Sequence, residues 1–393
     1  MRIVSGICPV EHLGAGRVIR AVESQLPMNP TVHIDYVSNK SGVSSLLRKK
    51  KWWKIPGGII LHGLRRVRLY QKLSQYAAMD DLVLMHFQEI GFDWCLRLLR
   101  ARKSQAPVWF FLFDSAFFCR KSYNHIDGEN SECLRCLGGD FQQADHLGCQ
   151  AFPRRSSKAT KLLKVMMSAA REGKVAFFAQ NDAQKCLAER HFGATAKVVT
   201  SGTWTDDFDG LTTAVADISP PDSQPEYDVV FHANPSSAKG FGWALEVAKN
   251  APRLRFLFPS EKPQNVDAPN NCTFLPLRWD TGLSGQVRSA PVTLLPSLWS
   301  APVEGALLKS ILVARKVAVA DVKSAYSGQL PEGLVLRLSL APNQAASALD
   351  RYIRSEAQTP MPPSIKSEWL EHFKHNRSFV NVMQDTVTQG KMR

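Results

Sequence analysis

A chain of 393 residues exceeds what one ordinary hydrophobic core organises, so two domains are expected, and 44% apolar residues let each half bury a core. No run of eighteen uncharged apolar residues occurs, which argues against a membrane-spanning helix. The formal net charge of +14 favours anionic partners and is unevenly spread along the chain.

The start, MRIVSGICPV, lacks the basic region and long apolar stretch of a signal peptide, so a cytoplasmic location is expected. RIVSGI (2–7) reads as a strand, followed by a loop carrying Gly14 and Gly16 and a helix through Val18, Ile19 and Val22. VHIDYV (32–37) is a second strand. Between Arg48 and Lys72 stand nine Lys or Arg residues and no Asp or Glu, with Trp52 and Trp53 among them. That texture suits an anionic membrane surface, on the inner face of the cell membrane, where rings sit at headgroup level. A solvated basic face explains it equally simply. Nucleic-acid binding is a third reading, and no motif elsewhere supports it.

DLVLMHF (81–87) and VWFFLF (108–113) are the third and fourth strands, with a helical pattern at WCLRLLRARK (94–103) between them. Cys119, Cys133, Cys136 and Cys149 follow in one loop. Cys133 and Cys136 have the spacing of a ligand pair, and the outer two make a structural zinc a candidate, with His125 and His146 as substitute ligands. Redox-labile thiols are the alternative. KVAFFAQN (174–181) and AKVVTSG (196–202) continue the strand series.

The stretch from 206 to 226 is rich in Asp, Ser, Thr and Pro and reads as a linker. A second series follows: strand YDVVFHAN (227–234), helix GFGWALEVAKNA, strand RLRFLFP (253–259), strand VTLLPS (292–297), a helix from Glu304 to Val313, and strand KVAVAD (316–321). EWLEHFKHNRSFVNVM (368–383) reads as one helix, within a segment 368–387 expected to return to the first domain. Strands alternating with helices mean parallel sheets. The expected fold is α/β with two Rossmann-like doubly wound domains, 1–205 on the acceptor side and 227–365 on the donor side, facing a central cleft. Such sheets bind ligands beyond the carboxyl ends of their strands. That rule points to the Gly14–Gly16 loop and to the loops after Phe113, Phe231 and Ser297.

FHANPSSAKGFGWALEVAKNAP, followed some fifty residues later by LLPSLWSAPVEGALLKSILVARKVAVAD, resembles the C-terminal domain of family-4 nucleotide-sugar glycosyltransferases of GT-B architecture. The agreement covers roughly 230–321, and the first half agrees in layout. The resemblance implies that Lys239, followed by Gly240, holds a donor diphosphate. It implies a retaining transfer that needs no metal for its chemistry. Asn234 stands where the family has arginine. Ala301 and Lys309 stand where it has two glutamates, the second of which accepts hydrogen bonds from the nucleotide ribose. Lysine has no acceptor.

A diphosphate leaving group gathers negative charge, and fixed cations or helix N-termini stabilise it. Lys309 would restore the charge lost at Asn234, and Glu304, beside Gly305 and after Ser297, would replace the absent acceptor. Glu304 and Lys309 lie about 140° apart around a helix and are expected to serve different partners. Gly14-Ala-Gly16-Arg17 is either a tight turn or a phosphate-contacting loop. His86 and Asp114 end the third and fourth strands, where an acceptor hydroxyl would be met by a base or an orienting group. The family often has His-Asp after the fourth strand; here the pair is Phe113-Asp114, so only the Asp carries over.

The expected activity is transfer of a sugar from a nucleotide diphosphate donor to a glycan or polyprenyl-linked acceptor, as in bacterial surface polysaccharide assembly. Lys239, Glu304, Asp114 and His86 would do the chemistry. Gly14, Gly16, Arg17, Asn234, Gly240, Ser297, Gly305 and Lys309 would bind the donor. A non-catalytic GT-B scaffold with a decayed donor site is the rival, because the missing arginine and glutamates are what such decay removes.

Overall fold

The computed structural model describes residues 1–9, 14–37, 64, 67–152, 156–205, 208, 225–355 and 361–389. Most of the basic 48–72 stretch and of the expected linker at 206–226 lies outside these residues. Two sheets, each of six parallel strands among the described residues, form two compact units.

The first sheet contains β1 (Arg2–Ser5), β2 (His33–Tyr36), β3 (Leu82–Met85), β4 (Val108–Phe111), β5 (Val175–Ala179) and β6 (Lys197–Thr200). Their order is β2-β1-β3-β4-β5-β6. β3, β4 and β5 are buried along their whole lengths, which explains their unbroken apolar sequences: helices cover both faces. Helix α1 (Gly14–Gln25) presents Val18, Ile19, Ala21 and Val22 to the core.

The second sheet contains β7 (Val229–Phe231), β8 (Phe256–Phe258), β9 (Cys272–Phe274), β10 (Val292–Leu295), β11 (Val317–Ala320) and β12 (Val335–Leu338), in the order β12-β11-β10-β7-β8-β9. β9 and β12 are edge strands absent from the sequence reading. Helix α2 (Phe241–Asn250) follows β7, and helix α3 (Gly305–Val313) follows β10. The strand order reverses between β7 and β10, which pair in parallel. Loops leaving the ends of two such strands diverge and open a crevice. In the first sheet β1 and β3 occupy the corresponding place.

Each unit is assembled from separate stretches of the chain. The first comprises Met1–Ser122, Arg135–Asp206 and Asn376–Arg393; the second comprises Tyr123–Leu134 and Asp207–His375. The short segment 123–134 therefore packs with the second sheet. The single C-terminal helix expected over 368–383 is interrupted by a 3-10 turn at His375–Ser378, which separates α4 (Pro363–Lys374) from α5 (Phe379–Gln389). α4 belongs to the second unit. α5 belongs to the first, where Phe379 is fully buried with its ring 6.2 Å from that of Phe111.

Candidate functional site

The crevice between β7 and β10 is built from two turns. After β7 the chain runs through His232 and an exposed Asn234 into a 3-10 turn, Ser237–Lys239, and then Gly240. Gly240 has φ 73°, and a Cβ there would lie 2.2 Å from the carbonyl oxygen of Pro296. Only glycine meets both demands. After β10 comes the second turn, Pro296-Ser297-Leu298, whose Leu298 N–H donates to Ala238 O at 2.9 Å. The turns are thus joined backbone to backbone.

Glu304 is the residue before α3, and its carboxylate does not cap the helix. It turns instead to Lys239, with which Oε1 forms an ion pair, and to Ser297, whose Oγ donates to Oε2 at 2.7 Å. Lys239 is 16% exposed and Glu304 15%. The Lys239 ammonium also lies 5.0 Å from the ring centre of Trp299 and 5.6 Å from that of Tyr123, and these two rings are 4.2 Å apart. Burial pushes the ammonium down, to about 7; the Glu304 carboxylate against it opposes that fall. Among the described residues Glu304 takes one of the three Lys239 N–H donors, leaving others for a ligand oxygen. Trp299 is 3% exposed, and its indole N–H has no hydrogen-bond partner among the described residues. A buried orphan donor of that kind is satisfied by water or a ligand.

Lys309 stands elsewhere on α3. Its ammonium is 5.6 Å from the ring centre of Trp279, which stacks on His232 at 5.1 Å and 13°. His232 Nδ1 bonds to Ser310 Oγ at 2.7 Å, and burial, then the charge of Lys309, pushes its imidazole down to about 4. The imidazole is therefore neutral at pH 7. Glu304 and Lys309 do meet different partners. Ala301 is 3% exposed and belongs to the apolar core of the unit, so a glutamate there would need its own partner.

In the first unit, Asp114 precedes a 3-10 turn. Its Oδ1 accepts from Ala116 N–H at 2.8 Å and its Oδ2 from Gln88 Nε2 at 3.4 Å; Gln88 also donates to Ser122 Oγ at 2.7 Å. Burial raises the carboxyl to about 6, against those hydrogen bonds, which lower it. His86 follows β3 with φ 58° and ψ 58°, a left-handed backbone that is uncommon outside glycine. Its ring lies 5.5 Å from that of Phe113. Gly14, Gly16 and Arg17 stand in the first turn of α1, which they open, and Gly16 is buried there. Tertiary packing carries the helix through both glycines despite their poor propensity.

Cys119, Cys133, Cys136 and Cys149 are the candidate zinc ligands. Among the described residues no three His, Cys, Asp or Glu side chains form a group able to hold a metal. None of the eight cysteines is in a disulfide. Cys119 and Cys149 each sit in a separate local turn, with their N–H groups on Ser115 O and Ala144 O, and Cys136 is buried. His125 is unsuited as a substitute ligand because both ring nitrogens face other partners. Nδ1 is 3.1 Å from Leu298 O and 3.2 Å from Ser131 O, and Nε2 is 2.9 Å from Ser237 Oγ.

The structure therefore brings Lys239, Gly240, Ser297, Glu304 and Gly305 together, sets Lys309 with Trp279 and His232, and leaves Asn234 exposed. Tyr123, Asn124, Trp279 and Trp299 join this candidate site without any assignment from the sequence, and His125 joins it in a place other than the metal-ligand role read for it. Their signal is weak: their contacts span up to 176 positions, and no local motif announces them.

No protein-family model matches the sequence, and a search of curated proteins finds no match. Solved structures do match over the whole chain. HepE from Anabaena in complex with UDP-glucose superposes with a TM-score of 0.56 at 14% identity, over 99% of this chain and 100% of that one. Sucrose-phosphate synthase from Thermosynechococcus elongatus gives 0.61 at 12% identity, covering 99% and 98%. The lipopolysaccharide outer core galactosyltransferase WaaB gives 0.58 at 11%, covering 98% and 99%. The chain has the GT-B fold. The Lys239–Glu304 pair lies in the second unit, at the strand-order reversal, where open doubly wound sheets bind ligands.

Proposed function

We propose that the protein is a glycosyltransferase that takes a sugar from a nucleotide diphosphate donor and passes it to a glycan or polyprenyl-linked acceptor, in bacterial surface polysaccharide assembly. The observation that carries this reading is the Lys239–Glu304–Ser297 cluster at the ends of β7 and β10. Gly240 lets the two turns approach each other closely. The GT-B neighbours, one in complex with UDP-glucose and one the lipopolysaccharide outer core galactosyltransferase WaaB, support the same reading.

As the bond between sugar and diphosphate breaks, charge gathers on the leaving oxygens. Lys239 meets it with an ammonium already held in a water-poor box of two rings and one carboxylate, where electrostatic stabilisation is strongest. Glu304 keeps that ammonium charged and aimed, and so orients the donor. The Trp279–His232 stack with Lys309 provides a flat, cationic shelf in the same unit for the rest of the nucleotide. In the first unit Asp114, poised near 6, and His86 face the acceptor hydroxyl as base or orienting group. Configuration is retained, and no metal takes part in the chemistry. The basic 48–72 stretch holds the enzyme at an anionic membrane surface, and liposome binding rather than nucleic-acid binding tests that part.

The test is a panel of sugar nucleotides. The wild-type protein is expected to release UDP or GDP slowly from one donor, and Lys239→Ala to abolish the release. The scaffold reading has one observation in its favour, the neutralisation of Lys239 by Glu304 within the protein. It predicts that no donor in the panel binds.

A further inference from the structure

Segment 123–134 leaves the first unit's chain to pack on the second unit's donor turns, and the proposed reaction uses only its Tyr123 ring. It is closed on itself by an antiparallel bridge between His125 and Glu132 and by Cys133 N–H on Asn124 O at 2.7 Å. It is then pinned to the chain after β10. The fully buried Asn124 amide is matched to Ser300: Oδ1 accepts the Ser300 N–H at 3.0 Å, and Nδ2 donates to Ser300 Oγ at 2.8 Å. Ser324 Oγ donates to Glu132 at 2.9 Å. Tyr123 completes the ring box around Lys239.

His125 is the residue of this segment that reaches both donor turns. Its ring is 2% exposed. The two groups facing Nδ1, Leu298 O and Ser131 O, are carbonyl oxygens that can only accept. The proton of the neutral ring therefore sits on Nδ1, and Nε2 accepts from the Ser237 hydroxyl. Ser237 opens the turn that ends at Lys239, and Leu298 follows Ser297, which holds Glu304. One imidazole thus spans the segment carrying the cation and the segment carrying its counter-ion. With Leu298 N–H already on Ala238 O, the Leu298 peptide is held at both ends.

We infer that His125 is a positioning residue for the donor diphosphate: it fixes the separation and register of the Lys239 and Ser297 turns without touching the ligand. This rests on the donor-site reading above. Small displacements of a fixed cation are costly, with misplacement by about 1 Å able to cost roughly 100-fold.

Calorimetric titration of UDP and GDP, with a thermal melt of each variant, tests it. His125→Ala is expected to weaken the nucleotide that wild type binds by roughly 10- to 100-fold. His125→Asn keeps a donor where Nδ1 stands, and His125→Gln keeps an acceptor where Nε2 stands. Each is expected to recover part of the loss, which a merely structural role would not produce in step with these two bonds. Ser237→Ala is expected to weaken binding by a smaller factor, and the double variant His125→Ala with Ser237→Ala to be no weaker than His125→Ala alone. Wild-type affinity in His125→Ala overturns the inference while leaving the donor site standing. If His125→Ala does not fold, unchanged affinity in Ser237→Ala and His125→Gln overturns it instead. Binding of neither nucleotide by the wild-type protein removes the donor-site reading, and the inference with it.

Discussion

Lys239 is held by opposing effects. Burial favours its neutral form, and the carboxylate of Glu304 favours the charged one. Glu304→Gln removes the second effect alone. Nucleoside diphosphate affinity in that variant should therefore begin to fall at a lower pH than in wild type; a titration at three pH values reads the difference. Asp114 behaves in the opposite sense. Its carboxyl is raised to about 6 in the fold from a usual 3.8. Stability is therefore full below about pH 4 and lost as pH rises through about 6, by roughly 1–2 kcal/mol given that the residue is partly exposed. Asp114→Asn keeps an acceptor for Ala116 N–H and should flatten that slope in urea melts between pH 4 and 7. At this scale the sequence showed which residues carry charge and where the turns fall. It did not show which charges meet, because Lys239 and Glu304 are 65 positions apart and joined only by folding.

At the scale of elements, glycine decides how closely the turns after β7 and β10 approach each other. Gly240→Ala places a Cβ against Pro296 O in a left-handed backbone, which should cost about 2 kcal/mol or more in denaturant melts and weaken nucleotide binding together with stability. A loss of stability below about 0.5 kcal/mol would contradict the geometry drawn for these turns. The interior strands were legible because parallel sheets bury both faces and leave continuous apolar runs, as at VWFF and VAVA. β9 was not, since three half-buried residues between prolines carry no periodicity. β12 escaped for a related reason: Arg337 interrupts its apolar face, and its guanidinium is spent on the carbonyls of Gly328 and Leu330. The C-terminal helix was read as continuous because its apolar spacing runs through 375–378, where the chain instead tightens to a 3-10 turn and passes from one unit to the other.

At the scale of the whole molecule, both units use parallel sheets whose strand order reverses once. Three of the candidate site residues follow the strands at that reversal, Lys239 and Glu304 after β7 and β10 and His86 after β3, whereas Asp114 follows β4. The sequence made this topology readable through alternation of strand and helix. It hid the exchange of segment 123–134 into the second unit, which depends on contacts between distant residues such as Asn124 with Ser300. A ligand that binds only the folded protein stabilises it by about 2.7 kcal/mol at one hundred times its Kd. UDP or GDP at that excess should therefore raise the melting temperature of wild type and not of Lys239→Ala. The central claim, that the buried Lys239 grips a nucleotide diphosphate, is met most directly by calorimetric titration of UDP and GDP into wild type and Lys239→Ala. The account predicts saturable binding of one nucleotide by wild type and a loss of roughly 100-fold or more in the variant; equal affinity in the two proteins would contradict it.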